Sequence, residues 1–251
     1  MLKIIVSPAK KMNVVDDYSF QITEPVMKEK TDKLYSILKK LDKETLKTLW
    51  NCSDKLVDQN FERLHTYEPG KNMTPALLAY EGIQYQYMAP QVFADREWEY
   101  VSSHLRILSG LYGVLRPTDG VIPYRLEMQT RLQADGAKDL YHFWNTMLYD
   151  GLCNDNASEP LTLINLASGE YSKAVLPYMK ENDTCITCIF AEEVNCKVKV
   201  KATMAKMARG EMVRFMAEHQ IENVKDIQQF DRLDFSFRKD LSSENEYVFI
   251  R

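Results

Sequence analysis

Leu161-Thr162-Leu163-Ile164-Asn165-Leu166, running straight into Ala167-Ser168-Gly169-Glu170-Tyr171-Ser172-Lys173, is the stretch on which the fold turns. Its first six residues are mostly apolar and too few for a buried helix, so they read as a buried strand. Ser168 stands where an N-cap belongs, and a helix is expected from about Glu170. A strand that feeds a helix at such a junction is the repeating step of an α/β protein.

Working outward, Leu2 to Val6 reads as a second buried strand, ended by Pro8. Thr184 to Phe190 is a third, and Val194 to Lys201 alternates Val with Cys or Lys as a strand does. Leu233 to Arg238 and Tyr247 to Ile250 read as two closing strands. Helical spacing places two or three amphipathic helices in residues 28–64, through Leu34, Ile37, Leu38, Leu41, Leu56, Phe61 and Leu64. Thr74-Pro75 reads as a helix start, Asp95 as the cap of a helix reaching about Leu108, and Ala202 to His219 as a strong helix. Ser7 to Glu24 reads as a long loop and Asn154 to Pro160 as a flexible one. The expected fold class is α/β (mixed α+β). Residues 1–251 are expected to form a single compact domain with a mixed sheet flanked by helices.

The 251 residues are 45% hydrophobic and 27% charged, which is globular, and the net charge of −4 excludes a surface that binds nucleic acid everywhere. A local basic patch is still allowed. The five cysteines, Cys52, Cys153, Cys185, Cys188 and Cys196, are odd in number and read as reduced cytoplasmic thiols. Leu2 to Val6 is too short for a signal or a membrane span, so no membrane partner is expected and a monomer is the default.

Four segments carry candidate chemistry. In His104 to Met128, the centre Leu108-Ser109-Gly110-Leu111-Tyr112-Gly113 resembles a helix-hairpin-helix, whose glycines let backbone N–H groups approach a phosphate. Arg106, Arg116 and Arg125 lie near enough in the chain to share its surface, and Tyr112 and Tyr124 beside them could stack on bases. A glycine turn joining two buried elements fits the same residues. In Ser7-Pro8-Ala9-Lys10-Lys11-Met12, Lys10 and Lys11 follow a strand end and can meet phosphates, or form an ordinary solvated loop. At Ser168-Gly169 with Lys173 one turn on, an anion site and plain capping are both open. From Lys197 to Arg214 six basic residues stand against Glu211, a local balance of +5 in an acidic chain. There the helical wheel sets Lys206 and Arg209 opposite Met204, Ala208, Met212 and Phe215. That basic face is either a phosphate contact or the solvated side of a packed helix. Gly210 inside it costs about 1 kcal/mol relative to Ala and calls for a reason.

The four histidines are isolated, and Cys185 and Cys188, three apart in a strand, point to opposite faces. Cys196 could only in principle join them. No metal and no cofactor are expected.

Ser7-Pro8-Ala9-Lys10, Leu105 through Pro117, Pro123 through Met128, Asn165-Leu166-Ala167-Ser168 and Ala208-Arg209-Gly210 together resemble, in order, the signature blocks of the YaaA family of bacterial peroxide stress proteins. The resemblance implies a cytoplasmic protein that limits unincorporated iron. It also implies a mixed α/β fold with a basic cleft, a helix-hairpin-helix element and affinity for duplex DNA. On that basis Gly110 and Gly113 take the hairpin role. Arg116, Arg125, Lys10, Lys206, Arg209 and Arg214 are cleft candidates, with Lys11 and Arg106 added as neighbouring cations. Lys11 and Gly169 depart from the residues expected in the family, Thr and an acid. The expected partner is double-stranded DNA, bound with little regard to sequence. The alternative is an enzyme acting on nucleic acid or a nucleotide, lyase- or glycosylase-like. It would draw its catalytic groups from Lys10, Ser168, Lys173 and Glu127, with Ser7 in the same pool. A direct iron binder has no convincing ligand set.

Overall fold

The computed structural model describes residues 1–66, 68, 70–71, 73–154, 159–195 and 197–251. Cys196 and the middle of the 154–160 loop lie outside the described residues. The chain opens with β1 (Leu2–Val6) and a two-residue β2 (Lys11–Met12) inside the expected loop. Three helices follow, α1 (Lys28–Leu38), α2 (Lys43–Trp50) and α3 (Asp54–Thr66); Leu34, Leu38 and Leu64 of the expected stripe are buried, α2 buries Leu46 and Trp50 instead, and Leu56 faces outward, 40% exposed. Asp42 caps α2 by accepting a hydrogen bond from the Thr45 N–H at 2.8 Å. Thr74-Pro75 is not a helix start but the short strand β3 (Thr74–Pro75), and α4 (Ala76–Ala79) begins after it. Next come β4 (Tyr80–Glu81), α5 (Ile83–Met88) and α6 (Asp95–His104), whose Glu97 accepts the Ala94 N–H.

The helix expected to run to Leu108 stops at His104, and the chain turns into β5 (Leu105–Ser109), then β6 (Gly113–Leu115) and β7 (Gly120–Val121). Every residue of β5 is buried. A short run that is buried throughout carries no period, so helix and strand look alike in the sequence. Then come α7 (Leu140–Trp144), α8 (Met147–Cys153), β8 (Thr162–Leu166) and the single-turn α9 (Gly169–Ser172). β9 (Thr184–Val194), β10 (Lys197–Lys199), α10 (Ala202–Glu218), β11 (Ser236–Phe237) and β12 (Glu246–Ile250) complete the chain.

One eight-stranded sheet organises the molecule, in the order β11-β12-β9-β8-β1-β5-β6 with β10 on β9. β12, β9, β8, β1 and β5 run parallel, and β11, β10 and β6 pair antiparallel at the margins. The expected mixed α/β architecture is therefore what forms. From β1 the chain crosses to β5 on one side and later returns to β8 on the other, pairing Val6 with both Ile107 and Leu166. Strand order reverses at that point, and a crevice opens beyond the carboxyl ends of β1 and β8. One continuous cluster of buried side chains, from Ile4 to Phe249, lies against both faces.

Candidate functional site

Beyond those carboxyl ends lies a cleft of about 550 Å³. Its floor is the pair of strand ends themselves. The Ser168 N–H donates to Ser7 Oγ at 2.8 Å, and the two hydroxyls lie 3.1 Å apart. Tyr85 on α5 donates its hydroxyl to the Ser7 carbonyl at 2.9 Å and holds the loop after β1 in place.

The walls come from three further segments. Lys10 pairs with Glu127 at 3.3 Å, and Lys11 with Glu81 at 2.7 Å across the β2–β4 ladder. Arg125 reaches Glu127 at 3.0 Å and the Trp50 carbonyl at 3.3 Å. From α10, Lys206 is exposed at the rim and Arg209 is half-buried. Gly210 supplies the reason for its own presence. A Cβ there would run into the Gln84 carbonyl, so only glycine lets α10 close onto α5 and bring Arg209 beside Gln84. The lining holds five basic side chains, Lys10, Lys11, Arg125, Lys206 and Arg209, and three acidic ones, Glu81, Glu127 and Glu170.

Burial sets the titration of the cleft. It pushes the Glu170 carboxyl above its ordinary range, helped by the like charge of Glu127 and opposed by the Gln129 N–H and by Lys10 and Lys173. Glu127 is held between two cations. Burial lowers the Arg209 guanidinium and pushes the Tyr124 phenol up to about 12. Tyr124 lies 2.6 Å from the Ser109 hydroxyl and 2.9 Å from that of Tyr80, a buried chain of hydroxyls opening on the cleft.

Half of the expected contact residues do not line this cleft. The helix-hairpin-helix is not formed: β5 and β6 pair antiparallel, Ser109 opposite Gly113, so the glycines belong to a β-hairpin. Its turn is held by Ser109 Oγ, which accepts the Leu111 and Tyr112 N–H groups at 3.2 and 2.9 Å. Gly110 packs against the backbone of Leu126 to Met128, where a Cβ would sit 2.5 Å from the Leu126 oxygen, and so supports the cleft wall from behind. Gly113 adopts φ +74° against Trp144 and Met27. Arg106 is buried, donating to the Ser102 and Leu105 carbonyls at 2.9 and 2.7 Å. Arg116 is clamped to Asp119 at 2.9 Å, and Arg214 to Glu218 at 2.7 Å. Lys173 lies 4.4 Å over the Tyr141 ring, outside the lining.

Among the catalytic candidates, Lys10, Ser168 and Glu127 do line the cleft, with Ser7. Both Lys10 and Lys173 are exposed, so neither has the dry surroundings that activate a Schiff-base lysine. Sequence reading passed over Gln84, Glu81 and Tyr85, and gave Glu170 only a helix start. Gln84 sits on a six-residue helix without a motif, and nothing local marks it. Cys185 and Cys188 are pushed by burial to about 11 and 12, so they stay protonated near neutrality. Among the described residues no group of three His, Cys, Asp or Glu could hold a metal, and no helix is long and apolar enough to cross a membrane.

The model of the peroxide stress protein YaaA matches residues 2–241. The chain belongs to the YaaA family. A protein of Agathobacter rectalis called a UPF0246 protein is 52% identical over 250 residues, covering 100% of this chain and 99% of its own. A second, from Pediococcus pentosaceus, is 50% identical over 250 residues, covering 100% and 98%. A third, from Lactiplantibacillus plantarum, is 48% identical over 249 residues, covering 99% of each. Four of the YaaA blocks seen in the sequence contribute to the cleft, through Ser7 to Lys10, Tyr124 to Glu127, Ser168 and Arg209, while of the 105–117 block Gly110 packs behind its wall.

Proposed function

We propose that this YaaA-family chain acts in the peroxide response by binding DNA in the cytoplasm, through phosphate contacts at the cleft, with little dependence on sequence. The observation that carries this reading is convergence. Cations from three distant segments, Lys10 and Lys11, Arg125, and Lys206 and Arg209, meet on one concavity of an acidic protein. Five bases against three acids leave a local excess of positive charge, placed where α/β sheets take anionic ligands. Lys10 and Lys206 are exposed at the rim, so a duplex lying across the mouth meets them first.

Such contacts release counterions, and affinity should fall steeply with salt. Fluorescence anisotropy with a labelled duplex at two salt concentrations tests this on the doubly substituted Lys10→Glu, Lys206→Glu protein. The native chain is expected to bind with a clear salt slope, and each lost lysine contact should lower that slope by about one unit. Equal affinity in the two proteins would remove the cleft from DNA binding. The limit on unincorporated iron that the resemblance implies is part of the same proposal. Cells carrying the double variant in place of the native protein should then show raised chelatable iron under peroxide.

A further inference from the structure

The cleft gathers donors that nothing among the described residues satisfies. Gln84 is 7% exposed, and its amide nitrogen has no hydrogen-bond partner. The Nε atoms of Arg125 and Arg209 are likewise buried without one. All three residues line the same cleft, from α5, the segment before Met128 and α10. Gly210 fixes α10 against α5, so Gln84 and Arg209 are set together by the fold rather than by chance orientation. The Ser168 hydroxyl accepts from Ser7 at 3.1 Å, which leaves its proton available as a donor among the described residues.

Amide, guanidinium and hydroxyl groups used as donors select a ligand made of acceptors, and the excess of cations selects a negative one. An internal phosphodiester offers two free oxygens and one charge. A phosphomonoester offers three oxygens and a charge of about −1.5 to −2 at neutral pH. The cavity of about 550 Å³ is of the size that holds a small ligand, and the ends of β1 and β8 close its floor. A strand end or a free nucleotide has the size such a cavity takes, whereas a continuous duplex presents only internal phosphodiesters to its mouth.

We propose that the inner cleft is a phosphomonoester site, taking the terminal phosphate of a nucleic-acid strand or of a mononucleotide through Gln84, Arg125 and Arg209. It rests on the reading of the cleft as a phosphate-binding surface and adds which phosphate is read. Binding of the full chain is measured for four probes: one single strand with a 5′-phosphate, the same strand with a 5′-hydroxyl, a deoxynucleoside 5′-monophosphate, and closed circular duplex, which has no ends. The 5′-phosphate should tighten binding about tenfold, the worth of one charge-assisted contact. Arg209→Gln and Gln84→Met should each abolish that preference. Gln84→Met removes an unpaired donor, so its melting temperature should hold or rise, which separates lost recognition from lost folding.

Monophosphate binding without any duplex binding would keep this site and end the duplex proposal. Equal binding of both strands, with circular duplex still bound and still weakened by Lys10→Glu, Lys206→Glu, would overturn the phosphomonoester site and leave the duplex proposal standing. No binding of any probe would overturn both.

Discussion

Arg209 and Arg116 show what separates a binding arginine from a structural one. Arg116 stands at the corner after β6, where its guanidinium meets the fully buried Asp119 at 2.9 Å and donates to the Glu24 carbonyl at 2.9 Å. Asp119 also accepts the Arg116 N–H at 2.8 Å and the Thr23 hydroxyl at 2.7 Å. That corner is electrostatically closed. Arg209 is desolvated, and among the described residues neither its Nε nor the Gln84 amide nitrogen has a partner. One arginine spends its hydrogen bonds on the fold; the other keeps a buried Nε that no group among the described residues satisfies.

The comparison breaks most visibly at Asp119. Asp119→Ala strips a buried acceptor from three groups and leaves the guanidinium without its counter-charge, a loss of about 3 kcal/mol. For a chain of this length the melting temperature should fall by roughly 6–12 °C. Duplex affinity measured below that transition should be unchanged. A small thermal effect joined to a large loss of DNA binding would reverse the roles given to the two corners.

Gly210→Ala is the next largest. The added methyl meets backbone, the Gln84 carbonyl, which cannot swing aside as a side chain would. Overpacking of that kind costs about 1–3 kcal/mol, and the better helix propensity of Ala returns about 1. Denaturant unfolding should show a net loss of up to about 2 kcal/mol. Because α10 moves off α5, phosphate affinity should drop with it.

The sequence made the strands and the convergence legible to different degrees. β1, β8, β12 and α10 stand where hydrophobic pattern and capping place them, since each is long or cleanly bounded. The region 105–115 misled, because a fully buried strand and a buried helix share a pattern, and two glycines suit either hairpin. Lys10, Arg125, Lys206 and Arg209 were recognisable as cations, but which arginine finds a carboxylate depends on residues far away in the chain. Arg116 has its partner three residues on, at Asp119, and that nearness was the one available sign that it is used up. Gln84 carried no sign at all, because its significance is the lack of a neighbour, which only the folded chain defines.

A smaller effect sharpens the cleft side. Burial holds the Glu170 proton to higher pH than an ordinary carboxyl, with Glu127 raising it further and Lys10 and Lys173 opposing. As pH falls through that raised value, one negative charge leaves the cleft and anion binding should strengthen, by about 1 kcal/mol at most for a partly screened charge. A duplex whose phosphodiesters do not titrate in this range is the proper probe. Anisotropy followed from neutrality down toward the ordinary carboxylate range should show the gain in the native protein, beginning above the pH at which a free carboxyl titrates. Glu170→Gln should flatten the Glu170 share of that dependence and bind more tightly at the upper pH.

The smallest change expected is at Gly169, and it tests whether the cleft glycines are chosen for geometry or are incidental. A Cβ at Gly169 meets open space within 4 Å, and its φ lies outside the left-handed region. Neither reason that fixes Gly210 or Gly113 applies. Gly169→Ala should alter stability by no more than about 1 kcal/mol, toward gain, because Ala narrows the unfolded ensemble at a position it can occupy without strain. Ser168 keeps its own bonds to Ser7, so phosphate affinity should not move. A loss as large as that of Gly210→Ala would mean that the backbone at residue 169 itself approaches the ligand. The anion would then sit at the Ser7–Ser168 floor rather than against Gln84 and Arg209.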